Sequence, residues 1–276
     1  MSRASNLKYA LSAAITVLGF AAAGAVDFFL PDRQEELAHP AFRVTLALLI
    51  AYYLIMGAWA ARSVEKREKY VERVPFRLAI GLVVAVWDLL SAKLDLLVMP
   101  FFPSPVRVMA VFVDEPAFLL TNLLYSLRLF AVGFSCGIAL GIGTGILVGW
   151  FAKVNYWVMP PLKITGIIPA VAWMPFALTL LPTSFAAGAF LIVICAWFPV
   201  AFMTSQGIAL TQKVYFDVAK TLGAKTSFLL FRVALPNALP QIFTGISTAS
   251  ALAFTTLVIS EMMGAQGGLG YYINWA

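Results

Sequence analysis

The sequence predicts an all-α integral membrane protein built as a polytopic helical bundle, and three observations point to that class. Hydrophobic residues make up 62% of the 276 residues and charged residues only 12%, about half the charged share of a soluble domain. The mean hydropathy is +0.90. Several apolar runs reach the roughly 20 residues that a membrane-spanning helix needs, whereas the strands of a membrane barrel would form short alternating segments.

About seven spans are predicted from the apolar runs and the loops between them. The first span has an alternative interpretation as a cleaved signal peptide. Arg3 and Lys8 precede an apolar stretch that contains the small residues Ala21–Ala25, which is the pattern of such a peptide. The length of that stretch favours a retained span. The seven predicted spans cover residues 9–30, 42–61, 74–91, 123–150, 157–181, 186–208 and 237–262.

Basic residues are distributed unevenly among the predicted loops. With the N-terminus in the cytoplasm, fourteen of the nineteen Lys and Arg residues fall on the inner side and five fall outside or at the outer boundary. Because cytoplasmic loops carry the excess of basic residues, this predicts a multi-pass protein of the cell (inner) membrane with a cytoplasmic N-terminus. It also explains the net charge of +6 without a nucleic-acid partner. The five outer residues are Arg33, Arg43, Lys93, Arg107 and Arg128.

A charged segment divides the chain. Ser63–Val74 mixes acidic and basic residues at three- and four-residue spacing, which is typical of a solvated helical linker with i,i+4 pairs. The sequence therefore predicts an N-terminal two-span hairpin with a basic linker over residues 1–70 and a core over residues 71–276. The hairpin has no assigned role, and no internal repeat relates the two parts.

Five glycines recur every four residues in the fourth predicted span. On a helix such a row forms a smooth stripe, which lets another helix approach closely in lipid. A phosphate-binding loop is excluded at GIGTGILVG, because no Gly-Lys-Ser/Thr follows. Any ATP must then be bound by another chain. The five helix-packing glycines are Gly133, Gly137, Gly141, Gly145 and Gly149.

Prolines interrupt the fifth and sixth predicted spans. Each proline inside a helix removes a backbone hydrogen bond and favours a kink. A bilayer tolerates this where neighbouring helices or a water-filled cavity satisfy the freed groups. Kinked spans suit a translocation path or gate, and the alternative is a purely structural role. The carboxylate of the last span has the same two alternatives. These candidate path residues are Pro169, Pro175, Pro199 and Glu261.

The sequence contains no pattern of catalytic or metal-ligating residues. Cys136 and Cys195 both lie inside apolar runs and are predicted to be buried hydrophobic side chains. No nucleophile triad, ligand cluster or pair of carboxylates is visible. We therefore predict a subunit that is not an enzyme and that holds no cofactor or metal of its own.

A charged loop, FDVAKTLGAKTSFLLFRVALP (Phe216–Pro236), separates two long apolar runs. Its first turns place Phe216, Ala219, Lys220 and Gly223 on one helical face. In this loop Asp217-Val218-Ala219 is followed by three residues and Gly223, then by nine residues and Val233, then by one residue and Leu235-Pro236. That spacing resembles the cytoplasmic "EAA" motif of ATP-binding-cassette (ABC) importer permeases, with Asp217 in place of the acid, Val218 in place of an alanine and Val233 in place of an isoleucine.

Other segments carry the resemblance from about residue 85 to the C-terminus. They are similar to segments of the nitrate, taurine and alkanesulfonate permease group and occur in the same order. These segments are PSPVRVMAVF (Pro103–Phe112), SLRLFAVGF (Ser126–Phe134), IIPAVAWMPFA (Ile167–Ala177), WFPVAF (Trp197–Phe202) and SEMMGAQGGLGYYI (Ser260–Ile273).

The resemblance implies a type I importer permease that forms the translocation path for a small anion such as nitrate, a sulfonate or taurine. Its implied partners are two cytoplasmic ATPase subunits that carry ATP and Mg, an extracytoplasmic substrate-binding protein, the lipid bilayer and a second permease copy. The implied ATPase-coupling residues are Asp217, Val218, Ala219, Gly223, Val233, Leu235 and Pro236.

Two departures leave alternatives open. Members of the group carry one more span after the Gly-Leu-Gly-Tyr segment, whereas this sequence stops at Ala276, and LLPTSF (Leu180–Phe185) replaces a glycine-rich turn. The alternatives are a degenerate or truncated permease that acts as a membrane scaffold, and an ATP-independent secondary transporter. A secondary transporter would be expected to show ionisable pairs within the membrane and repeated halves.

Overall fold

A computed structural model describes residues 3–33, 40–97 and 102–275 of the chain. All regular secondary structure in these ranges is helical. Six helices are long and apolar enough to cross a membrane, or seven if the bent pair Ala152–Ile167 and Ala170–Leu180 forms one span. The predicted all-α membrane class with about seven spans is therefore confirmed.

The chain divides into two compact units, Met1–Pro116 and Ala117–Ala276. This division differs from the predicted boundary after residue 70, because the third span packs along the first. A Cβ atom added to Gly81 would lie only 2.5 Å from the carbonyl carbon of Gly19. Two helix backbones in direct contact leave little room for lipid between them, so this span is part of the first unit.

The first unit contains α1 (Arg3–Phe29), α2 (Ala41–Ala60), α3 (Val64–Glu72), α4 (Val74–Asp88) and α5 (Pro105–Asp114), with a π-helical turn at Leu89–Lys93 after α4. Its core joins α1, α2, α4 and α5. The buried members of that core are Phe20, Ala23, Phe42, Leu46, Ala85 and Val106.

The charged linker forms α3. Its Lys69 ammonium lies 2.7 Å from the Glu65 carboxylate one turn earlier, and both side chains are exposed. Such exposed i,i+4 pairs contribute only about 0.3–0.5 kcal/mol. The helix is held mainly by Tyr70, which is buried in a cluster with Ala60 and Val74.

The second unit is built around one central helix. It contains α6 (Pro116–Trp150), α7 (Ala152–Ile167), a 3-10 turn (Ala170–Trp173), α8 (Met174–Leu180), α9 (Ser184–Ala209), α10 (Lys213–Thr221), α11 (Thr226–Phe228), a π-helical turn (Leu229–Ala234), α12 (Leu235–Gly264) and α13 (Leu269–Trp275). Helix α9 is central because α6 and α12 both pack along it.

The glycine stripe of α6 faces a second four-residue repeat on α9. Cβ atoms added to the five glycines would lie 2.5–3.0 Å from the Cβ atoms of their α9 partners. Residue numbers increase in the same direction along both rows, so α6 and α9 run parallel. The glycines have no side chains, which lets the two helices touch. The α9 partners, in the order of Gly133 to Gly149, are Ile192, Ala196, Val200, Thr204 and Ile208.

Proline breaks one span and is accommodated in another. The segment Ala152–Ile167 meets Ala170–Leu180 at an angle of 98°. Pro169 stands at the break, and Ile168 before it has the extended ψ of 120°, which a following proline favours. Pro175 lies in the first turn of α8. Pro199 is buried inside α9, a helix of 26 residues that continues beyond it.

Candidate functional site

The segment Lys213–Pro236, here called the α10 segment, projects from one end of the second unit. Helix α10 ends in a Schellman motif, in which Gly223 N–H donates to Lys220 O (2.9 Å) and Ala224 N–H donates to Ala219 O (3.0 Å). Gly223 has φ +79°, a left-handed conformation that glycine adopts without a steric cost. The glycine therefore ends the helix at a defined residue.

One face of α10 is apolar and has no cover in the described part of the chain. Val214, Val218 and Leu222 lie one turn apart along it, and Leu222 is 83% exposed. Together with Tyr215 and the exposed Phe228, they line a groove of about 900 Å³ between α10 and the start of α12. An apolar face of this kind is typical of a protein-binding surface.

The opposite face of α10 is anchored to three long helices. The ring of Phe216 lies 5.9 Å from that of Trp150, the last residue of α6. Phe216 also packs against a buried cluster that includes Ile208 of α9 and Ala238 of α12. Phe216 therefore anchors α10 to its own unit. A displacement of α10 would reach α6, α9 and α12 through these contacts.

The predicted coupling residues occupy different positions around this segment. Asp217 and Val218 are exposed, and Ala219 is half-buried. Val233 lies in the π-helical turn, and Leu235 and Pro236 are the first two residues of α12. The predicted common face is only partly present, because Phe216 packs inward while Lys220 and Gly223 are exposed.

Sequence reasoning missed most of the exposed apolar face. Val214, Tyr215, Leu222 and Phe228 were not predicted as site residues, although three apolar residues at positions 214, 218 and 222 recur every four residues. That periodicity was available as a signal. Which of the two apolar faces of α10 is exposed could be decided only from the positions of α6, α9 and α12.

A cluster of polar groups lies at the C-terminal end of α12, away from the α10 segment. The Glu261 side chain is 1% exposed, and one of its carboxylate oxygens accepts a hydrogen bond from Gly270 N–H at 2.9 Å. The adjacent turn is tied to α6, since Gly268 N–H donates to Asn122 Oδ1 (2.9 Å) and Leu269 N–H donates to Ser126 Oγ (2.8 Å).

Two of the four predicted path residues, Pro199 and Glu261, lie far apart. The carbonyl oxygen of Pro199 lies next to Gly245 of α12. Glu261 is sixteen residues further along the same helix, which corresponds to about 24 Å at 1.5 Å per residue. Pro169 and Pro175 lie on either side of the 3-10 turn. Within the described ranges no group of three or more His, Cys, Asp or Glu side chains could hold a metal ion.

Comparisons with known proteins place this architecture in context. A family model described as "Binding-protein-dependent transport system inner membrane component" matches residues 137–276. The chain is 27% identical to the nitrate import permease protein of Synechococcus elongatus, over 75% of this chain and 78% of the relative. It is 29% identical to the putative aliphatic sulfonates transport permease protein of Bacillus subtilis, over 79% and 83%. It is 35% identical to the bicarbonate transport system permease protein of Synechococcus elongatus, over 54% of each chain.

Proposed function

This chain belongs to the family of binding-protein-dependent transport system inner membrane components, and from that premise we propose that it forms the translocation path of an ABC importer for a small anion. It is a transport subunit of the nitrate, sulfonate and bicarbonate permease group, and its relatives are named as permeases rather than enzymes. The substrates in those names share a small size and a negative charge. The proposed substrate class is therefore a small oxyanion or sulfonate.

The α10 segment is the proposed docking site for a separate ATPase, and the observation that supports it is the exposed apolar face of α10. Leu222 and Val218 are exposed on a helix whose other face is fixed by Phe216. A partner that covers this face would bury apolar surface. Its motion would then act on α6, α9 and α12, which contact α10 directly or through its anchor.

The proposed topology places the α10 segment in the cytoplasm and the α13 end of the second unit outside. Lys213, Lys220, Lys225 and Arg232 all lie within the segment, and basic loops remain on the cytoplasmic side. The N-terminus is then cytoplasmic and the protein spans the cell (inner) membrane. ATP and Mg would be bound by the ATPase.

Two further partners are proposed. An extracytoplasmic binding protein would deliver the anion at the α13 end, opposite the ATPase. A second copy of this chain is proposed to complete the path, giving a homodimer in the assembled importer.

The coupling role can be tested at Gly223. A Cβ atom at this position meets nothing within 4 Å, so a larger side chain has room to project toward the partner, but a leucine also strains the left-handed backbone at φ +79°. We expect Gly223→Leu, in the importer purified with its ATPase and binding protein and placed in liposomes, to reduce the number of anions imported per ATP by about tenfold. A loss of about 1.4 kcal/mol in coupling would have this effect.

The matched control is Gly223→Asn, because asparagine tolerates the left-handed conformation better than other residues. It should retain most of the coupling while sharing the loss of glycine. Unchanged coupling in Gly223→Leu would contradict the docking role. Uptake by the wild-type importer that continues without ATP would favour the secondary transporter, and an assembled complex that moves no anion would favour the scaffold.

A further inference from the structure

Arg128 is the one charged residue of α6, and its side chain is exposed. Its guanidinium carbon lies 5.2 Å from the centre of the Phe185 ring. No ion pair or hydrogen bond to Arg128 occurs among the described residues. A guanidinium has five N–H donors, and none of them has a hydrogen-bond acceptor among the described residues.

Phe185 is held in place by its own neighbours. The ring of Tyr125, one turn before Arg128, meets Phe185 edge-on with centroids 5.8 Å apart. A Cβ atom added to Gly267 would lie 3.4 Å from the Tyr125 ring, so the turn before α13 packs against this pair. The aromatic surface beneath the guanidinium is therefore part of the packed α13 end of the unit.

The carboxyl group of Glu261, in the last turn of α12, is enclosed. Glu261 is almost fully buried and accepts a hydrogen bond from Gly270, while the backbone of Gly268 lies directly over its carboxylate. At the α13 end the guanidinium is exposed and the carboxyl group of Glu261 is enclosed. An approaching anion would therefore meet the guanidinium first, at a boundary where water is partly replaced and electrostatic interactions are strengthened.

The geometry of the guanidinium also matches the chemistry of an oxyanion. The guanidinium carbon lies over the Phe185 ring, and the N–H groups that do not face the ring can donate two parallel hydrogen bonds to a planar or tetrahedral oxyanion. Lysine would supply the charge without this paired geometry. An exposed cation of this kind within a span is by default a candidate for substrate contact.

We propose that Arg128 binds the transported oxyanion directly at the α13 end of the path, with Phe185 as the surface that orients its guanidinium. This inference rests on the proposed function and adds to it a residue that selects the substrate by charge. The proposed ligand is the transported anion itself, rather than a lipid phosphate or an acidic group of the binding protein.

The test uses the complete importer with its ATPase and binding protein in liposomes, with nitrate, methanesulfonate and bicarbonate as probes. Arg128→Gln removes the charge, and Arg128→Lys retains it without the forked geometry. Two quantities are measured at increasing concentrations of loaded binding protein: the half-saturating concentration for ATP hydrolysis, and the number of anions imported per ATP. Lys153→Gln, which removes an exposed cation at the α10 end, is the matched control.

We expect Arg128→Gln to lower the anions imported per ATP by at least about tenfold, with the half-saturating concentration of binding protein unchanged. Arg128→Lys should fall between this variant and the wild type, and Lys153→Gln should match the wild type. An increased half-saturating concentration would overturn the inference in favour of contact with the binding protein. If Arg128→Gln imports as many anions per ATP as the wild type, even with less complex in the membrane, the inference is overturned in favour of a lipid-contacting role.

The two levels of the proposal can fail separately. A wild-type importer that moves none of the three probes at the expense of ATP would refute the proposed function. A wild-type importer that moves one of them, combined with an Arg128→Gln variant that moves it equally well, would refute the role of Arg128 alone.

Discussion

Gly270 donates its backbone N–H to the carboxylate of Glu261 across 2.9 Å, and this bond fixes the turn between α12 and α13. Gly268 in the same turn has φ +116°, and a Cβ atom there would overlap the carboxylate. The carboxylate and the two glycines thus occupy mutually dependent positions. Of the two roles considered for Glu261, this geometry favours the structural one.

Replacing Glu261 with alanine should loosen the turn, because Gly270 N–H would lose its acceptor in a buried position. The expected cost is about 1–3 kcal/mol of stability, measured as a lower unfolding temperature of the detergent-purified chain together with faster amide exchange over residues 268–272. Glu261→Gln keeps an acceptor oxygen and is the matched control. Equal protection of the turn in all three proteins would show that Glu261 does not hold it.

The glycine stripe permits a comparison within one helix. A Cβ atom at Gly141 would lie 2.6 Å from the Cβ of Val200, whereas one at Gly143 would meet nothing within 4 Å. Gly141→Ala should therefore destabilise the second unit by about 1–3 kcal/mol through overpacking. Gly143→Ala should be neutral or slightly stabilising, since alanine is the better helix former.

Thermal unfolding of both glycine variants in the same detergent measures the difference. The identical substitution two residues apart keeps the change in helix propensity constant. A Gly141→Ala variant as stable as Gly143→Ala would mean that α6 and α9 do not touch in the folded protein.

The ion pair between Arg43 and Asp27 should respond asymmetrically to mutation. Their side-chain atoms lie 2.6 Å apart, with Arg43 59% exposed and Asp27 6% exposed. Removing the exposed guanidinium in Arg43→Gln leaves a buried carboxylate without this partner, at an expected cost of about 1–3 kcal/mol. Asp27→Asn leaves only a hydrated arginine, with an expected cost below about 1 kcal/mol.

Unfolding temperatures of the two ion-pair variants, measured at low and high salt, test this order. The double variant Arg43→Gln/Asp27→Asn should recover part of the loss, because the buried charge is then absent. A larger loss for Asp27→Asn than for Arg43→Gln would contradict the burial of Asp27.

The proposed topology can be measured by cysteine labelling. In a chain expressed without its ATPase and carrying Cys136→Ala and Cys195→Ala, a cysteine at position 222 should react with a membrane-impermeant maleimide only in inside-out vesicles, because Leu222 lies on the exposed face of α10. A cysteine at Thr121, which is exposed near the start of α6, should react in intact cells. The reverse pattern would place α10 outside and refute its proposed docking to a cytoplasmic ATPase.

Composition and periodicity were sufficient to predict the class of this protein. A chain with 62% hydrophobic residues and runs of about 20 apolar residues must satisfy its backbone hydrogen bonds internally in lipid, and helices do so within one segment. The number of spans follows from the same constraint. The four-residue repeat of glycines on α6 and the Asp217–Pro236 spacing were likewise readable, because both are local patterns along one helix or loop.

Tertiary structure decided which local patterns face each other. Gly19 and Gly81 lie 62 residues apart in the chain, and only their contact assigns the third span to the first unit. Phe216 and Val218 are both apolar residues of α10, and only the packing of α10 against α6, α9 and α12 determines that Phe216 packs inward while Val218 remains exposed. Glu261 and Arg128 are both ionisable residues at one end of a unit, and only the turn at Gly268–Gly270 encloses the first and leaves the second exposed. Hydropathy determines that a segment enters the membrane, but long-range packing determines which of its faces is covered.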